Sequence, residues 1–306
     1  MNITEMRPRL YLIGLEQRIE TFGAFIGSWV YDGEVKFLVD VGPRVSVEQL
    51  LQGLKILGIK KLDFIFLTHI HIDHAGGTGV LVNHFPDSKV ICHESGAPHL
   101  INPQRLWEGS KKVLGDLALK YGEIAPVAEE HILPPEKFGV KGFQVIKTPG
   151  HAAHHLSLIY KDYLFAGEAG GVYFDQGTVP YLRPATPPKF ILEEAVGSID
   201  KLLKVEAREI CYAHLGMHPD AKGMLRRYRN QLYLWRDVIA EEMGHSGKND
   251  LHDLFERCIP VLLDRDELFR PFKELDERDK AREVYFLKNS IQGISEYVAS
   301  LRNPRP

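Results

Sequence analysis

The chain is poor in cysteine. Three occur in 306 residues, Cys92, Cys211 and Cys258, far apart and without a CxxC pair. An odd, sparse set supplies no disulfide framework and points to reduced thiols packed inside a cytoplasmic protein. An excess of either charge is also missing. The formal net charge is −3, so no global field advertises nucleic acid or an anionic membrane as a partner. No apolar run reaches the length that spans a bilayer. The opening stretch MNITEMRPRL lacks the apolar segment of a secretory signal. Internal repeats and low-complexity tracts are absent. What is present is an ordinary globular composition, 44% hydrophobic and 26% charged. That suffices for a sizeable core in one large domain with an appendage, or in two modest domains.

Apolar periodicity divides the chain. RLYLIGL, TFGAFIGSWVYDG and VKFLVDVG read as strands, with Asp32-Gly33 as a hairpin turn. SVEQLLQGLKILG reads as a helix, with Val47, Leu50, Leu51, Leu54 and Leu57 at helical spacing, Ser46 as N-cap and Gly58 as terminator. KLDFIFLTH and KVICHE are strands, GTGVLVNHF is a helix, and residues 97–122 are helix broken near Pro103. FQVIKTPGH, the two halves of HLSLIYKDYLFAGE, and REICYAHLG are further strands. Strands predominate early and helices intervene later, which predicts layered α/β architecture with mixed sheets. After His218 the pattern becomes helical. Leu225, Tyr228, Leu232, Trp235 and Ile239 share one face, and Leu287, Ile291, Ile294, Val298 and Leu301 another. The division is thus a catalytic domain over 1–219 and a helical C-terminal extension over 220–306. The extension could cover the active site, form a homodimer surface, or simply pack on its own domain.

Residues 68–77 read THIHIDHAGG, with three histidines and an aspartate inside six positions. His69 and His71 are two apart, so on extended chain their rings point the same way and can chelate one ion. Asp73 and His74 follow as the chain turns into a helix and can face a neighbouring ion. Other strands end in His151 (VIKTPGH), Glu168 (YLFAGE) and His214 (ICYAH). Imidazole and carboxylate without thiolate suit zinc, iron or manganese.

These motifs resemble those of the metallo-β-lactamase-fold hydrolases, in the glyoxalase II and acyl-homoserine lactonase branch. HxHxDH matches in full at 69–74, TPGH at 148–151 resembles the second histidine motif, FLVDVG at 37–42 the early aspartate motif with Asp40, and His214 the last ligand. The resemblance covers roughly residues 8–218. It implies an αβ/βα four-layer sandwich with the C-terminal helices appended. It also implies two divalent metal ions at one edge of the sheets, zinc in the first place, with iron or manganese possible. Metal one then takes His69, His71 and His151; metal two takes Asp73, His74 and His214. Glu168 holds the bridging position, where the family usually has aspartate. Asp40 is expected to hold backbone or a ligand histidine, and His155 either to orient a ligand or to pack. His84, His93, His99, His131, His154, His218, His245 and His252 are read as non-ligands.

The activity implied is hydrolysis of an ester, thioester or lactone of a small molecule by a hydroxide shared between the metals, with Asp73 taking a proton. The loop AGGVYFDQGTVPYLRPATPP after Glu168 offers Tyr173, Phe174 and Tyr181 for apolar groups and Arg183 for a carboxylate, or else it merely covers the sheet. Alternatives are a persulfide-dioxygenase-like oxidoreductase with one iron and a non-catalytic, metal-stabilised binding protein. A flavodiiron type usually has Glu where His71 stands. A nucleic-acid hydrolase would need more than the small basic patch LRRYRN, which reads as a solvated helix face.

Overall fold

Alternate residues along the strands face different cores. The computed structural model describes residues 2–17, 19, 22–175, 179–244 and 250–302. Its larger, seven-stranded sheet runs in the order β1 (Asn2–Arg7), β2 (Leu10–Glu16), β3 (Ala24–Asp32), β4 (Lys36–Val39), β5 (Phe64–Phe66), β6 (Lys89–Ile91), β7 (Ile132–Leu133). The second has the order β14 (Met217–His218), β13 (Glu209–Tyr212), β10 (Tyr163–Gly167), β9 (Leu156–Tyr160), β8 (Phe143–Lys147). A ribbon of β11 (Val172–Phe174) and β12 (Tyr181–Arg183) follows the Glu168 turn.

Leu10, Leu12, Phe37, Val39 and Phe66 of the first sheet meet Leu158, Tyr160, Phe165 and Cys211 of the second in one cluster. Their neighbours Ile13, Leu15, Leu38, Ile65, Ile159, Leu164 and Ile210 belong to a different cluster, shared with the helices. A strand with two buried faces carries apolar residues at every position, each parity serving one face. Two such sheets, face to face and helix-covered on their outer faces, make the αβ/βα four-layer sandwich.

The helices are α1 (Val47–Ile56), α2 (Ile72–Ala75), α3 (Thr78–His84), α4 (Ala97–Ile101), α5 (Gln104–Leu114), α6 (Asp116–Tyr121), α7 (Leu192–Leu202), α8 (Ala221–Gly244), α9 (Leu251–Arg265) and α10 (Glu277–Arg302). The 97–122 segment breaks at Pro103 and a second time at Gly115, whose φ of 56° a glycine adopts without strain. Ser46 stands at the N-cap position of α1, but its hydroxyl donates to Glu16 O (3.0 Å), tying the helix to β2. Gly58 ends α1 at φ 73°, with Ile59 N donating to Leu54 O. Strand β1 carries no strong apolar alternation; it is held by its antiparallel pairing with β2. Among the described residues no helix is long and apolar enough to cross a membrane.

The three C-terminal helices bury their apolar faces in the same cluster as the outer faces of both sheets, through Leu232, Trp235, Ile239, Leu262, Leu287 and Ile291. Leu301 departs from the expected face; it lies exposed near the end of α10. Polar contacts also join helices and ribbon. Gln231 Nε2 donates to Leu182 O (2.7 Å) and Ser290 Oγ to Pro184 O (2.9 Å). Glu283 on α10 accepts from Arg183 Nε and from the Tyr181 hydroxyl (2.8 Å), with Arg183 and Glu283 both buried. This engagement overturns the expectation that Arg183 meets a substrate carboxylate, since its partner belongs to the chain itself. Glu283→Ala should leave a buried guanidinium uncompensated and cost about 3–5 kcal/mol of stability, read by urea denaturation. A loss within the range of an exposed ion pair would show that the pair does not anchor α10.

Candidate metal centre

The carboxyl ends of β8, β10 and β13 lie on one edge of the second sheet. β9 is antiparallel to both β8 and β10, and β13 is parallel to β10. β5 brings its own end to that edge, where Leu156 N donates to Thr68 O (2.6 Å) and joins the two sheets. The loops leaving these strands therefore converge. Two groups of donors form there, each with atoms within 4.8 Å of one another: His69, His71, His151 and Glu168 in the first, Asp73, His74 and His214 in the second. Every sequence-derived ligand candidate is in one of the two. The histidines read as non-ligands are in neither, apart from His245, which lies outside the described residues.

Four of the five rings, those of His69, His74, His151 and His214, are held from behind. His151 Nδ1 faces Ala185 O (3.0 Å) and His214 Nδ1 faces Phe25 O (3.3 Å). Both contacts require the proton on Nδ1 and leave a lone pair on Nε2. Thr68 Oγ1 donates to Asp40 Oδ2 (2.8 Å) and lies 3.0 Å from His69 Nδ1, while the same Asp40 oxygen is 3.2 Å from His74 Nδ1. The remaining Asp40 oxygen accepts from Thr68 N (2.8 Å). One buried carboxylate thus orients a residue in each donor group. Asp40 does this from φ 60°, a backbone region that non-glycine residues rarely occupy. Ser28 Oγ, donating to Asp40 O (2.6 Å), helps to hold it there.

The inner atoms show why a cation fits. Nε2 of His69 and of His74 is buried without a hydrogen-bond partner. His151 Nε2 lies 3.0 Å from His71 Nδ1 and 2.9 Å from Glu168 Oε2, and His69 Nε2 lies 3.3 Å from the same oxygen. In the second group His74 Nε2 is 3.5 Å from Asp73 Oδ2, and His214 Nε2 is 3.2 Å from Glu168 Oε1. Donors bound at about 2.1 Å to one tetrahedral ion sit about 3.4 Å apart, the range seen here. Glu168 faces His69 and His151 of the first group with Oε2, which also lies 3.6 Å from His74 Nε2 of the second, and faces His214 with Oε1. Its longer arm is accommodated by a turn in which Gly167 takes φ 59°, and His155 Nε2 accepts from Glu168 N (3.1 Å). His155 in turn is held through Nδ1 by Thr148 Oγ1 (2.8 Å). His155 is thus buried and bonded on both ring nitrogens, one of them to the backbone of Glu168.

Burial, followed by the neighbouring imidazoles, holds His69 and His71 well below the ordinary histidine range, so both are neutral at pH 7. His74 goes the other way, up to about 10: burial lowers it, but Asp73, Asp40 and Glu168 outweigh burial. Burial would raise Glu168, yet His151 and His214 hold it well below the usual carboxylate range.

Residues 25–214 match the family model described as the metallo-beta-lactamase superfamily. The chain belongs to that superfamily. It is 32% identical over 200 residues, 60% of its own length and 75% of the relative's, to the metallo-beta-lactamase fold-containing protein ST1585 of Sulfurisphaera tokodaii. It is 28% identical over 247 residues, 77% of its length and 76% of the relative's, to a hydroxyacylglutathione hydrolase of Vibrio campbellii. The fold is also that of the metallo-beta-lactamase family protein TTHA1429 from Thermus thermophilus, with TM-score 0.68 at 19% identity over 97% of this chain and 95% of that one. That coverage extends the shared fold beyond the superfamily match into the C-terminal helices.

Beside His214 lies an open cavity of about 550 Å³ whose wall includes Leu215, Gly216, Phe22, Phe174 and Arg282. Of the expected substrate residues, only Phe174 lines it. Tyr173 is buried and stacked on Tyr212 (4.6 Å), and Tyr181 is buried against Glu283. Sequence reading missed Arg282, which lines this cavity from α10. Its guanidinium lies 4.4 Å from the Phe25 ring centre, and Phe25 stacks on His214 at 4.2 Å. No local pattern marks such a residue. Thr68 and Thr148 were missed as well, although each belongs to a metal-type motif.

Two outcomes follow. Asp40→Asn, which keeps shape but removes the charge that orients both His74 and Thr68, should weaken metal binding by about 10–100-fold in competitive chelator titrations. The His74 value also implies linkage. Below about pH 10 the metal-free protein carries a proton on His74, which an ion in the second group must displace. Zinc added at pH 8 in weak buffer should release about one proton per chain through this group, while neutral His69 and His71 release none. His74→Ala should abolish that release.

Proposed function

We propose that the protein hydrolyses an ester, thioester or lactone of a small molecule with the help of two divalent metal ions, zinc in the first place. The observation that carries this reading is Glu168, whose carboxylate lies among imidazoles of both donor groups, Oε2 against His69, His151 and His74 and Oε1 against His214. A relative named as a hydrolase of hydroxyacylglutathione supports a thioester as one substrate class. Ions bound at such a pair lower the pKa of a coordinated water and polarise a carbonyl oxygen.

The side chains divide the remaining work. Asp40 is fully engaged by Thr68 and His74, and Glu168 contacts four imidazoles. Asp73 is the less engaged carboxylate. It is 17% exposed, and His74 lies 3.5 Å away. It is therefore the group placed to take a proton from the attacking water as the tetrahedral intermediate forms. His69, His71 and His151 define one face of the reacting space, and His74 and His214 the other. The Nδ1 contacts of His69, His74, His151 and His214 keep those rings from turning as charge moves between ground and transition states, which favours a preorganised site.

The test is a panel of lactones, thioesters and aryl esters assayed with metal-loaded protein, together with metal analysis. Hydrolysis with about two ions per chain is expected. Asp73→Asn should lower kcat by at least about 100-fold with KM changed little. One iron per chain with oxygen consumption would favour the dioxygenase alternative. Stoichiometric metal with no turnover on the whole panel would sink the hydrolase reading.

A further inference from the structure

Tyr121, the last residue of α6, presents a hydroxyl that the fold does not satisfy. The side chain is 1% exposed, and its oxygen has no hydrogen-bond partner among the described residues. Its ring packs in a small cluster with Ile72, Phe22, Ala118 and, at the edge, Phe286. Ile72 immediately precedes Asp73, so the phenol stands beside the start of the metal-centre helix α2. A buried donor without an acceptor is costly. Among the other buried atoms without a partner, Nε2 of His69 and of His74 face the metal space, while Gln17 Oε1 lies on the loop next to Phe22.

We infer that Tyr121 is a further catalytic residue of the proposed hydrolase, its hydroxyl donating a hydrogen bond to the substrate's acyl oxygen as that oxygen gains charge. The inference rests on the hydrolase reading for its reaction, and on the unpaired hydroxyl for its residue. No proton is transferred. The carbonyl π pair moves onto the acyl oxygen as the nucleophile bonds to carbon. The phenol keeps its proton throughout and returns to its resting state when the C=O re-forms and the leaving group departs.

The surroundings suit a permanent donor. Burial first, then the Asp73 carboxylate, Tyr285 and the Glu168 carboxylate, push the phenol well above its usual range, with Arg282 opposing. Ionisation at neutral pH is thereby excluded, so Tyr121 can donate to an anion but not act as a base. The charged residues named belong to both donor groups and to α10. The hydroxyl therefore lies within reach of the field of the whole centre.

Tyr121→Phe removes one oxygen and leaves the packing intact. It should lower kcat by about 100-fold, the loss typical of one oxyanion donor, with KM within a few-fold. Metal content should be unchanged and the melting temperature equal or higher. Methylphosphonate, a tetrahedral oxyanion, should bind the metal-loaded variant about 10-fold more weakly than wild type by calorimetry. Unchanged kcat, a loss of metal or of melting temperature alongside the fall, equal methylphosphonate affinity, or no binding to either protein would each overturn the inference. If wild type turns over nothing on the ester panel, the hydrolase reading falls separately, and methylphosphonate still decides whether Tyr121 meets an oxyanion.

Discussion

Asp40 is the point on which the centre depends. It sits at the end of β4 in a strained backbone conformation, and its two oxygens hold Thr68 by backbone and hydroxyl and His74 by its ring. Through Thr68 it also sets His69. A buried carboxylate with this many donors resists movement. The loop that carries HxHxDH is therefore preorganised by a residue that need not touch an ion. The strain at Asp40 is tolerated because Ser28, Thr68 and the β4–β5 pairing over-determine its position.

The second constraint is closure of the β11–β12 ribbon by the C-terminal helices. Arg183, Tyr181 and Glu283 form a buried polar knot between ribbon and α10, and Arg282 extends from the same turn toward Phe25 and Phe174. Because Phe25 stacks on His214, α10 is linked to the metal centre by packed rings. The helices are thus a wall of the cavity beside His214 as well as part of the core.

Glu168 illustrates how one methylene is absorbed. Glycine at 167 lets the chain turn at positive φ, and His155 accepts the backbone N–H that the turn exposes. A Cβ at Gly167 would meet the His155 ring at 2.4 Å, so glycine and histidine fit as a pair. The carboxylate ends among imidazoles of both groups, and the longer arm still spans them.

Much of this was legible locally. Period-two burial on both faces showed as continuous apolar strands, helix ends showed in Pro103 and Gly58, and the candidate metal donors were readable because HxHxDH, TPGH and the strand-ending His214 each place ligand-type residues where a strand stops. Local sequence also marked Glu168 as a departure from the usual aspartate. Tertiary structure alone decided the rest. Arg183 looked available to a substrate until the fold set Glu283, one hundred residues later, against it. Tyr121 and Arg282 have no signature, because a hydroxyl is unpaired and a guanidinium lies beside a ring only once separate elements have packed. A motif specifies which atoms can bind; only long-range packing, in which desolvation and partner geometry are set together, specifies which atoms are already occupied and which are left waiting.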